Sequence, residues 1–167
     1  MEGFAANRQE TPVFPPILSM NILKLHANTG TVVGGEMMKK NLTLFLMGGT
    51  LYPSLEILCR GKTDFSMAVA GGACVCLIDR VCNGRLHAMP LSVKCFAGSG
   101  IITAVEFCTG VVVNIILKLN VWDYSQMPMN ILGQICIPFS ILWYAATIPA
   151  MLLGTCCSRF AAARAEK

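Results

Sequence analysis

Long apolar runs separated by short polar connections dominate the 167-residue sequence. Hydrophobic residues make up 54% of the chain and charged residues 13%, whereas a soluble domain usually carries about 25% charge. A soluble fold of this length could not cover so much apolar surface, but a lipid bilayer needs only stretches of about 20 apolar residues. The pattern therefore predicts one all-α membrane domain, a polytopic bundle of transmembrane helices.

Four transmembrane spans are predicted from these runs. They lie at about Leu42–Cys59, Phe65–Cys82, Phe96–Leu117 and Ile131–Gly154. The connections between them are too short to hold a soluble domain. We therefore assign residues 41–157 to a four-helix transmembrane domain and residues 158–167 to a short cytosolic tail.

The first 40 residues differ from the spans. Pro15 and Pro16 break the apolar stretch Val13–Leu25, which is also too short to cross a membrane. The segment lacks the basic start, apolar core and cleavage site of a signal peptide. We interpret residues 1–40 as a flexible or interfacial leader.

Lys and Arg are unevenly distributed over the predicted loops, which sets the expected orientation. The side that holds both termini and the loop between the second and third spans contains Lys39, Lys40, Arg80, Arg85, Lys94, Arg159, Arg164 and Lys167. The opposite side contains Arg60, Lys62 and Lys118. Because the more basic side faces the cytosol, both termini are predicted to be cytosolic.

Small residues in the first two spans indicate where helices pack closely. Gly48 and Gly49 lie in the first span, and Gly71 and Gly72 lie in the second. Glycines at such positions allow two helix backbones to approach each other. We expect both pairs to lie on packing faces.

Glu106 is the most informative polar residue because it lies near the centre of the third span. A carboxylate at that depth costs about 2.5 to 3.5 kcal/mol on insertion scales, so it indicates a function by default. Thr103 and Asn114 share its helix face, at spacings of three and eight residues. The face either lines a polar cavity in which Glu106 binds a cation or proton, or Glu106 bonds a neighbouring helix and fixes packing.

Further polar residues are predicted in the outer half of the membrane. Glu56 and Arg60 have the four-residue spacing of a helical ion pair, which forms either an interfacial clasp or part of an external vestibule. Asp123 and Tyr124 follow the third span, where an aromatic belt is the ordinary explanation for Tyr124. If Asp123 faces inward instead, these residues surround an outward-open pocket floored by Glu106.

Motifs of soluble enzymes are missing from the sequence. It has no Gly-rich phosphate loop ending in Lys-Ser/Thr, no HExxH and no nucleophile elbow. The nine cysteines form no CxxC and mostly fall in or beside apolar runs, which indicates buried, reduced residues. His26 and His87 lie in the leader and in a loop, so no metal site and no cofactor is predicted. The net charge of +4 is too small to indicate a nucleic-acid partner.

A set of short motifs runs through the spans in order. They are Gly48-Gly49, Tyr52, Glu56, Arg60-Gly61, Ser66-Met67, Gly71-Gly72, Thr103, Glu106, Gly110, Asn114, Val121-Trp122-Asp123-Tyr124-Ser125, Pro128, Asn130, Gly133-Gln134 and Trp143. In these motifs the stretch from about Leu44 to Gly154 resembles a bacterial family of ABC-transporter permeases, which are small polytopic membrane proteins. Residues 122–125, called the WDYS segment, are the most specific part of this resemblance. The resemblance implies a permease that works with a separate ATPase subunit. It also implies that four spans assemble as a homo-oligomer, or with other membrane subunits, to enclose a pathway.

The favoured function is a permease-type subunit of an ABC transporter in the bacterial inner (plasma) membrane. Its predicted substrate- or ion-binding residues are Glu106, Asn114, Thr103, Glu56, Arg60, Asp123 and Tyr124. The alternative is a non-transporting membrane scaffold or sensor that assembles with partner membrane proteins. A third hypothesis is a membrane-embedded enzyme whose carboxylates do acid/base chemistry on a lipid headgroup. It is not favoured, and the chain is predicted not to be an enzyme.

Overall fold

The computed structural model describes the backbone of residues 16–165 and the side chains of residues 34–58, 61–161 and 163. The chain divides into two units, Met1–Met37 and Met38–Lys167. The side-chain contacts that form the core and the candidate site belong to the second unit.

Much of the predicted leader is helical. The first helix already begins at Pro16, whereas the sequence predicts a flexible or interfacial segment up to residue 40. Residues 1–15 lie outside the described part of the chain. The interfacial location of the leader stays a prediction.

Helices account for most of the described chain. They are α1 (Pro16–Arg60), α2 (Phe65–Ile78), α3 (Leu91–Gly110) and α4 (Ile137–Ala165). A wider π-helical turn continues α2 over Asp79–Arg85, and another continues α3 over Val111–Ile116. Before α4, β1 (Asn130–Ile131) and β2 (Ile135–Cys136) form an antiparallel hairpin. The mostly helical prediction is confirmed, but the all-α assignment misses this hairpin.

Three helical segments are long and apolar enough to cross a membrane. They are Phe65–Arg85, Leu91–Ile116 and Ile137–Ala161, and they correspond to the second, third and fourth predicted spans. The predicted first span is not among the segments found in the described residues, so a fourth crossing stays a prediction. The last helix begins later than expected, at Ile137 rather than Ile131, because the preceding residues pair as a hairpin.

The spanning helices begin at residues suited to helix starts. The Asp64 carboxylate accepts a hydrogen bond from the Ser66 backbone N–H at 2.8 Å and caps α2. Hydrogen bonding from Ser66 also lowers the pKa of Asp64 below its ordinary value. Pro90 precedes α3, and its carbonyl accepts the Val93 N–H at 3.1 Å. Pro138 falls in the first turn of α4, where a missing N–H costs nothing.

Helices α2, α3 and α4 pack against one another around a shared apolar core. Its buried side chains are Leu44, Cys74, Val75, Ile78, Cys82, Cys95, Ile102, Ala150 and Met151. A smaller cluster joins Met67 of α2 and Val113 to Trp122 of the connection that follows α3. The smaller cluster holds one end of the WDYS segment in place.

Gly48 of α1 and Gly71 of α2 allow the two helix backbones to touch. A Cβ built on Gly48 would lie 2.6 Å from the Gly71 carbonyl oxygen, and one built on Gly71 would lie 2.7 Å from the Gly48 carbonyl oxygen. Both distances are too short for a real Cβ atom. The packing role predicted for these glycines is confirmed.

Substitution of Gly71 is expected to destabilise the helix bundle. Gly71→Val should lower the free energy of unfolding by about 1 to 3 kcal/mol, because the new side chain must push two backbones apart. Thermal unfolding of the detergent-solubilised protein measures the loss. Gly100→Val is the matched control, since nothing lies within 4 Å of a Cβ built there. Equal melting temperatures for the two variants would contradict the close contact.

Candidate substrate-binding cavity

Glu106 lies in α3 with only 6% of its surface exposed, and both carboxylate oxygens are hydrogen-bonded. The Tyr124 hydroxyl donates to Oε1 at 3.0 Å, and the Trp143 indole Nε1 donates to Oε2 at 2.8 Å. Because Trp143 belongs to α4 and Tyr124 to the connection after α3, the carboxylate joins three parts of the fold. Both donors are neutral, so neither bond cancels the negative charge of an ionised carboxylate.

The hairpin holds the WDYS segment against α3. The Tyr124 N–H donates to the Gly133 carbonyl at 2.8 Å. The Trp122 indole Nε1 donates to the Gln134 carbonyl at 3.0 Å. Gly133 has φ +68° in the hairpin turn, and a Cβ there would lie 2.8 Å from Asp123 Oδ1. The hairpin that the sequence does not predict therefore fixes the position of Tyr124 at Glu106.

Asn114 fastens the end of the third span to the same loop and hairpin. Its Nδ2 donates to Gln134 Oε1 at 2.8 Å, and its Oδ1 accepts the Val121 N–H at 2.7 Å. The residue is 9% exposed and lies in the π-helical turn after α3. Such turns occur often next to functional sites. Asn114 thus supports the segment that carries Tyr124.

A cavity of about 610 Å³ lies beside Glu106. Residues of all four helices and of the WDYS segment line it. Its aromatic lining residues are Tyr52, Trp122, Tyr124, Phe139 and Trp143. Its acidic lining residues are Glu56, Glu106 and Asp123, and the other lining residues are mostly aliphatic. The cavity is therefore an apolar space with an acidic and aromatic part.

The aromatic rings of the cavity lie close to one another. Tyr124 stacks on Phe139 with 4.6 Å between ring centroids, and Phe139 lies 6.1 Å from Trp143. Tyr52 approaches Trp143 from α1 at 6.0 Å. These separations are typical of attractive aromatic pairs. The rings form a continuous aromatic group that includes the two hydrogen-bond donors to Glu106.

Four of the predicted site residues line this cavity, namely Glu106, Glu56, Asp123 and Tyr124. Glu56 is 8% exposed and accepts a hydrogen bond from Thr63 Oγ1 at 2.7 Å. Asp123 is exposed, and its carboxylate accepts the N–H and the hydroxyl of the nearby Ser125.

The remaining predicted site residues lie elsewhere. Thr103 lines a separate groove of about 520 Å³ and donates to Ser140 Oγ at 3.2 Å. Asn114 does not line the cavity and belongs to the supporting network. The side chain of Arg60 lies outside the described residues, so its pairing with Glu56 stays a prediction. No group of three or more His, Cys, Asp and Glu that could hold a metal ion occurs among the described residues.

Trp143 and Phe139 line the cavity, although the sequence does not predict them as site residues. Both lie in an apolar run, where an aromatic residue usually faces lipid or the core. Trp143 could have been found from the indole N–H, because a buried indole usually finds an acceptor and Glu106 is the mid-span acceptor available.

A second polar cluster lies at the other end of the bundle. Lys40 Nζ is 2.7 Å from Asp79 Oδ2, and the side chains are 24% and 8% exposed. Asn83 Nδ2 donates to Asp79 Oδ1 at 3.0 Å and to the Met151 carbonyl at 2.9 Å. The sequence assigns no role to Asp79. The structure makes it the centre of a link among α1, the turn after α2, and α4.

A family model described as "Putative ABC-transporter type IV" matches residues 66–162. The chain belongs to this family. The match includes Glu106, Tyr124 and Trp143, whereas Tyr52 and Glu56 on α1 precede it. Among curated proteins and among solved structures, none matches the chain.

Family membership and the three apolar helices identify the chain as a membrane protein related to ABC transporters. This is a class of transporters rather than of classical enzymes. The resemblance drawn from the sequence motifs is therefore confirmed at the level of the family.

Proposed function

We propose that the chain is a permease-type membrane subunit of an ABC transporter and that its substrate binds in the cavity beside Glu106. The observation that carries the proposal is a buried carboxylate that lines a space of about 610 Å³. Sites for small molecules typically measure about 300 to 1,000 Å³ and are mostly apolar with a few placed polar groups. The cavity has both properties.

A purely structural role for Glu106 would not require this space. The space beside Glu106 is open to the surface of the helices, so a ligand can enter it. A carboxylate that only joined α3 to α4 would not need to border such a space. The cavity therefore favours the transport reading of Glu106 over the packing reading.

An ATPase unit outside these 167 residues would supply the energy. The sequence contains no phosphate loop ending in Lys-Ser/Thr, so ATP hydrolysis needs another protein segment. Large apolar side chains remain exposed on the described helices, including Leu58, Phe65 and Phe96. These surfaces suit lipid or neighbouring membrane subunits, and we propose assembly as a homo-oligomer or with other subunits.

We further propose a multi-pass topology in the inner membrane with four crossings and cytosolic termini. The charge bias of the loops supports this orientation. Cysteines introduced at Lys62 and Ser125 are then expected to react with an impermeant maleimide added outside intact cells. Cysteines introduced at Arg85 and Arg164 should react only after permeabilisation. Because native cysteines can also react, labelling of the unsubstituted chain is the control. The reverse labelling pattern would contradict the proposed orientation.

The contacts of Glu106 also support a second candidate, a non-transporting scaffold or sensor. Its carboxylate ties together α3, α4 and the WDYS segment, as a structural clasp would. A scaffold would assemble with membrane partners but would not depend on a cavity.

Isolation of the tagged chain from its native membranes separates the two candidates. A permease subunit is expected to co-purify in fixed ratio with a protein that contains a phosphate loop, and the complex should hydrolyse ATP. Mass spectrometry and an ATPase assay measure both properties. Recovery of membrane partners without any ATPase would overturn the permease proposal and favour the scaffold.

A further inference from the structure

The charged residues in the described lining of the cavity are all acidic. Glu56, Glu106 and Asp123 line it, and among the described lining residues there is no Lys, Arg or His. Glu106 is held by neutral donors from Tyr124 and Trp143. A buried carboxylate without a cationic partner is costly in an apolar environment. A ligand with a positive charge would compensate it.

The hydrogen-bonding capacity of Glu106 allows such a ligand. A carboxylate has about four acceptor positions. Each oxygen of Glu106 accepts one bond from the protein, from Tyr124 or Trp143. Acceptor capacity therefore remains on a group that lines the cavity.

The aromatic rings next to Glu106 suit a cationic head group that is poorly hydrated. Tyr52, Tyr124, Phe139 and Trp143 lie within one connected set of ring contacts. Ring faces attract cations, most strongly where water is excluded, and aromatic cages are a known solution for quaternary ammonium groups. An inorganic cation would instead require several oxygen ligands in a compact shell.

The rest of the cavity suits an apolar ligand body. Leu51, Leu55, Val105, Leu142 and Leu153 are among its lining residues. Burial of apolar ligand surface against them is favourable because it removes that surface from water. The Glu106 carboxylate and the aromatic rings therefore suit the cationic head of a ligand, and the aliphatic lining suits its apolar body.

We propose that the cavity binds a monovalent organic cation with an apolar body, such as a quaternary ammonium or phosphonium compound. This inference rests on the proposed function, because it names the substrate class of the same cavity. The cationic head lies between the Glu106 carboxylate and the aromatic rings, and the apolar body contacts the aliphatic lining.

Tetraphenylphosphonium and tetraphenylborate test the proposal as a pair, because they share size and shape but carry opposite charges. The two tryptophans of the chain, Trp122 and Trp143, both line the cavity. Their fluorescence in detergent-solubilised full-length protein therefore reports on its occupancy, with free tryptophan in the same detergent as the blank. We expect a saturable change in tryptophan fluorescence with the phosphonium, and binding of the borate that is weaker by a factor of about ten or more.

Glu106→Gln should weaken phosphonium binding about tenfold, because it removes the charge and retains the side-chain size. Asp64→Asn is the matched control, since it also removes one carboxylate, keeps a good helix cap and lies outside the cavity lining. It should change binding by less than about twofold. The comparison of the two ions on the unsubstituted protein needs no variant, so it decides the question even if Glu106→Gln does not fold.

Equal binding of the two ions, tighter binding of the borate, or no saturable change with the phosphonium would overturn the cationic substrate class. An equal loss in Glu106→Gln and Asp64→Asn would also overturn it. These outcomes leave co-purification with an ATPase unaffected, so failure of this inference is distinguishable from failure of the permease proposal.

Discussion

Glu106→Gln is expected to leave the protein folded and to reduce its ATP-dependent transport activity at least about tenfold. The amide oxygen can accept from the Trp143 indole, and the amide nitrogen can donate to the Tyr124 hydroxyl, which serves as donor or acceptor. The helix contacts therefore survive while the negative charge in the cavity disappears. Transport by the reconstituted complex measures activity, and thermal unfolding in detergent measures folding.

Two further variants control this result. Asp64→Asn removes a carboxylate at the start of α2 and should retain activity. Glu106→Leu leaves the Trp143 N–H and the Tyr124 hydroxyl without their acceptor, which typically costs about 1 to 3 kcal/mol of stability for a buried group. A folded Glu106→Gln protein with full transport activity would reject the substrate-binding role and leave Glu106 as a packing residue.

Lys40→Met is expected to lower the free energy of unfolding by about 3 kcal/mol, because it leaves the Asp79 carboxylate buried without its cation. This loss corresponds to more than a hundredfold shift in the unfolding equilibrium. Asn83 still donates to Asp79, so the loss should lie at the low end of the range for broken buried pairs. Urea or thermal unfolding in detergent measures it.

A second substitution tests the cause of that loss. In the Lys40→Met background, Asp79→Asn should recover part of the stability, because a neutral amide needs no cation. Lys62→Met removes an exposed lysine and should change stability by no more than about 0.5 kcal/mol. If the double variant is less stable than Lys40→Met alone, the buried ion pair is not the source of the effect.

Hydropathy and charge predicted the parts of the fold that depend on solvent preference. Three helices coincide with predicted spans because roughly 20 apolar residues have few stable alternatives to a membrane helix. Glu106 is predicted as a site residue because a carboxylate is energetically costly inside such an apolar run. Gly48 and Gly71 were found as packing residues because small side chains favour close helix approach.

Tertiary contacts account for what the sequence did not predict. The hairpin at Asn130–Cys136 has strands of two residues each, too short for a strand period to appear. Lys40 and Asp79 form an ion pair between two helices, and the sequence around each residue does not indicate this pairing. Trp143 looks like an ordinary apolar residue until α4 packs against α3 and brings its indole to Glu106.

The cavity could not be predicted because its aliphatic lining uses the same residue types that face lipid. Leu51 and Leu142 line the cavity, whereas Leu58 and Phe96 are exposed on the helix surface. Composition cannot distinguish these environments, since lipid and an apolar cavity wall accept the same side chains. Only the packing of the four helices separates them.

A density map of the purified complex in lipid nanodiscs, with tetraphenylphosphonium at saturation, shows whether a cation binds beside Glu106. We expect density for the cation inside the cavity, in contact with the Glu106 carboxylate and with the Trp143 ring. A map in which side chains close the space beside Glu106 while the bound cation lies elsewhere on the complex would contradict it.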